Sequence, residues 1–360
     1  MDISKENILI FTRTVGQGGT ENVVLELCEI LNPLAGKIVV CSRGGINEAA
    51  LKEMGIRHVT VPDIAERSPK KMLSVVKILR KTVKEEKITI IHSHHRMAAF
   101  YARFSGGKVI RLANAHNTFT DKKKLTRFAY KNTKIIAVGE QVKRNLNDTF
   151  GIPEENITVI KNAVKPFNGE IFEIPEFKKA KEEGCILIGN IGRLSEQKGM
   201  EYFIKAAEIL YSKEPRARFY IIGSGEDEEK LKSLAAGHLP EGIVSFMGYR
   251  EDIQNIISQL DFIVLSSLWE GFPLTPIEAF SAGKTIVATD VDGTSEIVKD
   301  GVNGLLVRPK DVQGLAAAME RLCTDIKLKE NLEKNAAESF EKEFSFENFA
   351  KQYIRFYEAL

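Results

Sequence analysis

The chain has 360 residues, 43% of them hydrophobic and 28% charged. At about 150 residues per domain that is a two-domain length, and the composition excludes a chain that is disordered for most of its length. The net charge of +2 hides an asymmetry: residues 1–165 hold 28 Lys and Arg against 16 Asp and Glu, an excess of 12 positive charges, and the remainder is acidic by 10. A basic half implies an anionic partner (a membrane surface, a phosphorylated substrate or nucleic acid) or simple attraction between the two halves. The four cysteines, Cys28, Cys41, Cys185 and Cys323, have no paired spacing. That argues against a disulfide framework or zinc ribbon and fits a reducing compartment. No apolar run approaches the roughly 18 residues that span a bilayer. The opening MDISKENILIF lacks the basic and long apolar regions of a secretory signal. A cytoplasmic chain is expected.

Short β-branched runs alternate with amphipathic stretches. The predicted strands of the first half are 7–12, 37–42, 57–61, 88–92, 108–115, 134–138 and 156–160. Between them the spacing is helical, as in Met72, Val75, Val76, Leu79 and Val83. Strand-then-helix alternation predicts a mostly parallel sheet covered on both faces. The pattern breaks over 161–183, which is rich in Pro, Gly and charge and reads as a linker. It restarts with strands at 185–191, 218–223, 243–248, 261–265, 285–289 and 304–307. The fold class is therefore α/β, with two Rossmann-like doubly wound domains facing a cleft. Their spans are 1–165 and 166–343, and an aromatic-rich helix over 344–360 is expected to cross back to the first. In such sheets ligands bind beyond the carboxyl ends of the strands, at the switch point.

Three motifs sit at strand ends. VGQGGTENVV (15–24) follows the first strand. Its glycines permit a sharp turn and close ligand approach, and Thr20 is placed to cap the next helix. It is not GxGxxG and lacks the acidic residue about 20 positions on, so a dinucleotide site is weakly supported and a plain glycine turn stays open. NIGRLSEQKGM (190–200) puts Arg193 and Lys198 around a short loop before a helix. That arrangement suits a pyrophosphate, the alternative being a solvated basic loop. LSSLWEGFPLTPIEAFSAG (265–283) places Glu270 and Glu278 eight apart around an irregular loop, with a helix starting near Thr275–Pro276 and Glu278 in its first turn. The carboxylates can accept bonds from sugar hydroxyls. Glu278 taken alone could be a helix-dipole carboxylate.

GRLSEQKG, WEGFPLTPIE, IIGSGEDEEKL (221–231), VSFMGYREDI (244–253) and DVDGTSEIVKDGVNGLLV (290–307) together resemble glycosyltransferase family 4, retaining and metal-independent nucleotide-sugar transferases of GT-B fold. In the first half the likeness is thinner: the GGTE loop, IIHSHHRMAA (90–99), NAHNT (114–118) and the IKNAV segment. The resemblance implies that Arg193 and Lys198 hold the donor pyrophosphate and stabilise the departing nucleoside diphosphate. Glu270 would contact the donor sugar and Glu278 the ribose hydroxyls. Gly192 and the backbone of Phe272, Pro273, Leu274 and Thr275 would meet phosphate or sugar. Gly18 and Gly19 would lie against the diphosphate or the acceptor. His116 would lie near the transferred sugar, and Tyr249 and Arg250 would border the base. Where the family often has Asn-Gly-Val-Asp at the hinge, this chain has Asn162-Ala163-Val164-Lys165, so the hinge carboxylate is replaced by a lysine.

Other features read more plainly. His92, His94 and His95 form H-x-H-H after a buried strand. Without nearby carboxylates they make a poor zinc site, and His94 is expected to line a cleft. Asp290-Val-Asp292 precedes a Gly-Thr-Ser turn and reads as a cap rather than a metal ligand. Trp269 is expected to pack at the base of its loop. The segments 67–87 and 121–134 concentrate lysines, including Lys122, Lys123 and Lys124, and such segments hold proteins on anionic bilayers. The apolar face of 67–87 is expected to pack on its own sheet.

The function expected from these residues and this resemblance is retaining transfer of a sugar from a nucleotide-sugar, a UDP-sugar by preference. The acceptor would be a lipid-linked glycan in bacterial surface-polysaccharide synthesis at the inner face of the membrane. No cofactor, metal or nucleic acid is expected. A sugar-nucleotide epimerase or soluble glycan synthase of the same fold, or a non-catalytic nucleotide-sugar sensor, stay open as alternatives.

Overall fold

The computed structural model describes residues 1–16, 18–66, 68–167 and 171–360. Gln17 of the glycine loop, Arg67 of the lysine-rich segment and 168–170 of the linker candidate lie outside the described residues. The chain divides into two compact units: Met1–Asn162 together with Glu347–Leu360, and Ala163–Phe346. The divisions thus fall at 162/163 and 346/347, a few residues from the expected 165/166 and 343/344.

The first unit is a parallel sheet of seven strands: β1 (Asn7–Phe11), β2 (Lys37–Ser42), β3 (Arg57–Thr60), β4 (Ile90–His94), β5 (Ile110–Ala115), β6 (Lys134–Ala137) and β7 (Ile157–Val159). Their order is β3-β2-β1-β4-β5-β6-β7, and every pairing is parallel. The reversal of order between β1 and β4 is the switch point. One face packs Leu9, Phe11, Val39 and Ile91 against Val75, Leu79 and Val83 of the helix Pro69–Glu85. The apolar stripe of that helix therefore belongs to its own sheet. Strand β4 runs two residues later than the expected 88–92, so that His92 sits mid-strand and His94, which lay beyond the expected end, is its last residue. Alternation explains the shift: Ile91 joins the helix-facing core, while His92 meets the terminal helix Phe346–Glu358 on the other face.

The second unit repeats the plan with β8 (Ile186–Ile191), β9 (Ala217–Ile222), β10 (Val244–Gly248), β11 (Phe262–Leu265), β12 (Ile286–Thr289) and β13 (Leu305–Val307). The order β10-β9-β8-β11-β12-β13 puts its switch point between β8 and β11. Its core gathers Phe203, Ile204, Phe219, Phe262, Val264 and Met319. Part of the expected linker is a helix, Pro175–Glu182, with proline in its first turn and Phe177 and Ala180 buried. One short turn of apolar spacing was too little to show as a period. All four cysteines are free, and burial pushes the Cys28 and Cys41 thiols up to about 12. Among the described residues no helix is long and apolar enough to cross a membrane.

Candidate functional site

In the second unit two loops leave the switch-point strands: 192–199 after β8 and 266–273 after β11. Hydrogen bonds stitch them together. Asn190 Nδ2 donates to Ser266 Oγ at 2.9 Å, and Ser266 Oγ donates to the Lys198 carbonyl at 3.0 Å. Leu268 N donates to the Gln197 carbonyl at 2.7 Å, and Gln197 Nε2 donates to the Trp269 carbonyl at 3.0 Å. This lacing sets Lys198 Nζ 2.6 Å from Glu270 Oε1, which also accepts from Ser267 Oγ at 2.6 Å. Both charged side chains are mostly buried, at 17% and 7% exposure, so the pair is well shielded from water. Gly192 lies flat on the Lys198 stem: a Cβ there would stand 3.1 Å from Lys198 Cε, at a φ of +157° that side chains avoid. Gly293 does the same for the other loop, since a Cβ would fall 1.8 Å from the Gly271 carbonyl. That contact seats the loop carrying Glu270.

The helix Leu274–Ser281 follows directly, with Pro273 at its cap and no side-chain cap bond. Its amino terminus is therefore suited to an anion. It begins one residue earlier than expected, because Pro276 fits within a first turn. Glu278 consequently falls in the second turn. Phe272, Leu274 and Thr275 are nearly buried. Loss of hydration pushes the half-buried Glu278 carboxyl up to about 7, and the Lys198 ammonium works against that rise. The structure thus brings Lys198, Glu270 and Glu278 into one electrostatic group, with Gly192 packed on the Lys198 stem.

The remaining predicted residues of this unit stand differently. Arg193 is 72% exposed and pairs with Glu226 at 3.1 Å. Arg250 is tied in a bidentate fork to Asp252 at 2.8 and 2.7 Å. What that loop offers a ligand is the exposed ring of Tyr249. Trp269 is 47% exposed and does not pack at the loop base as expected, because its carbonyl, not its ring, is what anchors it. Asp292 opens the short helix Asp292–Ile297. Among the described residues no group of three or more His, Cys, Asp or Glu side chains is arranged to hold a metal ion.

The first unit carries the other predicted residues. Gly18 caps the helix Gly19–Leu31 with φ +148°, and Thr20 lies inside that helix instead of capping it. His116 is nearly buried and its Nε2 lies 3.1 Å from His94 Nδ1. His94 is fully buried, so it lines no cleft as a side chain, and its Nε2 has no partner. Beside it His92 Nε2 donates to Asn114 Oδ1 at 2.7 Å, and its Nδ1 accepts from Tyr357 at 2.7 Å. Asn114 Nδ2 donates to the Tyr353 hydroxyl at 2.6 Å. The terminal helix thus closes a polar network that sequence reading missed, since its partners lie 265 residues apart. Burial, reinforced by the neighbouring rings, holds His94 and His116 well below the ordinary histidine range; burial takes His92 to about 4, and His95 falls to about 4 with Arg13 adding to the drop.

These histidines are neutral when folded and protonate readily when unfolded. The unfolded chain therefore binds more protons below about pH 6.5, and their contribution to stability is lost as pH falls from there through about 4. We expect the melting temperature to fall steadily across that window. Replacing His92 by Gln, which keeps a donor but cannot titrate, should flatten the slope. An unchanged slope in the variant would show that other groups set it.

Against this geometry stand the comparisons. The Glycosyl transferases group 1 family model matches residues 172–339, and the Glycosyltransferase Family 4 model matches residues 17–166. The Escherichia coli UDP-Gal:alpha-D-GlcNAc-diphosphoundecaprenol alpha-1,3-galactosyltransferase is 26% identical, over 88% of this chain and 87% of its own length. A Campylobacter jejuni N,N'-diacetylbacillosaminyl-diphospho-undecaprenol alpha-1,3-N-acetylgalactosaminyltransferase is 28% identical, over 64% of this chain and 61% of its own. Several other curated relatives are likewise matched over about 60% of their length. The Anabaena protein HepE, solved with UDP-glucose, superposes with a TM-score of 0.84 at 20% identity, covering 98% of this chain and all of that one. The fold is GT-B, two Rossmann-like domains. The chain belongs to glycosyltransferase family 4.

Proposed function

We propose that this protein transfers a sugar from a UDP-sugar, with retention of anomeric configuration and without a metal ion, to a lipid-linked glycan of bacterial surface-polysaccharide synthesis. The observation that carries the reading is the group Lys198–Glu270–Glu278 at the switch point of the second unit. Lys198 and Glu270 stand on two laced loops and Glu278 in the uncapped helix that follows; in this reading Glu270 contacts the donor sugar and Glu278 the ribose. In this reading the bond from the anomeric carbon to the diphosphate breaks as the bond to the acceptor oxygen forms on the same face. The acceptor proton passes to the departing diphosphate. Negative charge therefore grows on the leaving group, where Lys198 and Arg193 stabilise it. His116 lies by the transferred sugar, with His94 fixing its ring. The UDP preference rests on the Escherichia coli relative, whose name gives UDP-Gal, and on HepE.

The decisive experiment is a panel of UDP-, GDP- and ADP-sugars tested for binding and slow hydrolysis. Tight binding and turnover of a UDP-sugar, undiminished by EDTA, is the expected result. Binding of none of them would overturn the assignment, and loss in EDTA restored by manganese would overturn the metal-free mechanism.

The membrane part of the reading rests on the first unit. Lys122, Lys123 and Lys124 are exposed beside Phe128, which is 40% exposed. On the helix Pro69–Glu85, Leu73 is 71% exposed among Lys70, Lys71 and Lys77. Apolar tips within basic surface suit an anionic leaflet at about 1 kcal/mol per basic residue. Replacing the three lysines at 122–124 by glutamate should weaken binding to phosphatidylglycerol vesicles at least tenfold and leave donor hydrolysis unchanged. Equal partitioning of wild type and variant would remove these lysines from any membrane role.

A further inference from the structure

The loops leaving β1 and β2 hold two arginines on one carboxylate. Arg13 donates from Nε and Nη2 to the two oxygens of Asp63, both at 2.9 Å. Arg43 Nη1 donates to the same Asp63 Oδ2 at 3.2 Å. The Ala65 N–H adds a further bond to Asp63 at 2.9 Å. The backbone fixes the two arginines side by side, for Arg43 N donates to the Arg13 carbonyl at 2.9 Å. Gly45 then packs on the chain at Val15, where a Cβ would fall 2.4 Å from the Val15 carbonyl.

Asp63 is 6% exposed and one arginine in a bidentate fork already satisfies it. The second guanidinium is surplus to that need, and like charges held this close repel unless an anion joins them. Both groups stay half open, at 50% and 58% exposure, and Arg13 Nη1 with Arg43 Nε and Nη2 remain as donors beyond the bonds to Asp63. Glu21 accepts from the Thr14 hydroxyl at 2.6 Å and supports the charge on Arg13 from a distance, without a direct bond to either guanidinium. Planar guanidiniums with parallel donors match phosphate oxygens in a way that lysines do not. The position is also right, at the carboxyl ends of strands flanking the switch point of this sheet.

We propose that Arg13 and Arg43, aligned by Asp63, form an anion subsite that takes a phosphate or diphosphate group carried by the acceptor. This rests on the lipid-linked acceptor of the proposed function, and adds that the acceptor binds the first unit, which carries the membrane-facing lysines. Asp63 is the positioning residue, and the arginines make the contact.

The test is titration with inorganic pyrophosphate followed by calorimetry. Wild type should bind it at two sites. Arg43→Gln should weaken one of them at least tenfold, and Lys198→Ala should weaken the other. Arg43→Lys should fall between wild type and Arg43→Gln, since charge is kept and the fork lost. Asp63 retains its Arg13 fork in Arg43→Gln, so an unchanged melting temperature is expected and serves as the folding control. Binding of Arg43→Gln to phosphatidylglycerol vesicles should match wild type. Pyrophosphate binding unaffected by Arg43→Gln would reduce the pair to a latch for Asp63 and overturn the proposal. Equal losses on vesicles and pyrophosphate would make the ligand a lipid headgroup and overturn its assignment to the acceptor. Donor hydrolysis separates the two readings: its absence in wild type defeats the proposed function, whereas intact hydrolysis with unchanged pyrophosphate binding defeats only the subsite.

Discussion

Lys198→Ala is expected to cut turnover about 10²–10³-fold, the scale of losing one preorganised charge-stabilising donor, and also to lower the melting temperature. Arg193→Ala should cut turnover without moving the melting temperature. The difference follows from burial. Lys198 is the partner of Glu270, which is 7% exposed, and its removal leaves that carboxylate with Ser267 alone. An unpaired buried acceptor costs about 1–3 kcal/mol, and more when charged. Arg193 is 72% exposed and paired only with an open Glu226, so its loss leaves nothing buried unsatisfied. The double variant Lys198→Ala with Glu270→Gln separates the two effects. It should regain much of the lost stability and none of the turnover. Near-normal activity in both single variants would remove the two cations from the chemistry, and a melting temperature unmoved by Lys198→Ala would show that Glu270 does not depend on it.

The strands were legible because a buried parallel sheet demands β-branched runs: KIVVCS and KIIA needed no tertiary information. The loops of the second unit were legible because glycine, proline and charge cluster where a parallel strand ends at a ligand. What escaped was pairing at long range. That Lys198 bonds Glu270, 72 residues on, is set by which strands neighbour the switch point, and strand order is not written in local sequence. His92 misled for a related reason. A histidine in a strand looks like a loop ligand until Tyr357 and Asn114 supply its bonds. Asp63 and its two arginines sit in segments with no motif at all, joined only because β1, β2 and β3 are adjacent. Trp269 was misplaced because aromatic burial is a tendency of composition, whereas here the bond that the Gln197 side-chain amide donates to the Trp269 carbonyl decides where the loop is held.

UDP-glucose affinity is expected to rise about tenfold between pH 6 and pH 8, and Glu278→Gln is expected to abolish that rise and to weaken binding about 10–100-fold. The Glu278 carboxyl is pushed up to about 7 from an ordinary 4.5, chiefly by loss of hydration. Between those two values the folded chain holds a proton that the unfolded chain has released. Its contribution to stability is therefore present below 4.5 and is lost as pH rises through 7. Donor binding runs the other way. Two ribose hydroxyls can both donate to a carboxylate, whereas a carboxylic acid keeps one oxygen as a donor. Binding thus selects the charged form and releases about one proton near pH 6. A sugar nucleotide is the right probe, since its phosphate diesters do not titrate in this window as the terminal phosphate of UDP does. Glutamine cannot titrate, so the variant should show a flat profile at the weaker level. The Lys198 ammonium works against the rise at Glu278, so Lys198→Ala should move the midpoint of the wild-type rise to higher pH. A flat wild-type profile, or a slope surviving in Glu278→Gln, would take the ribose away from this carboxylate and return it to the plainer part of a charge within a helix.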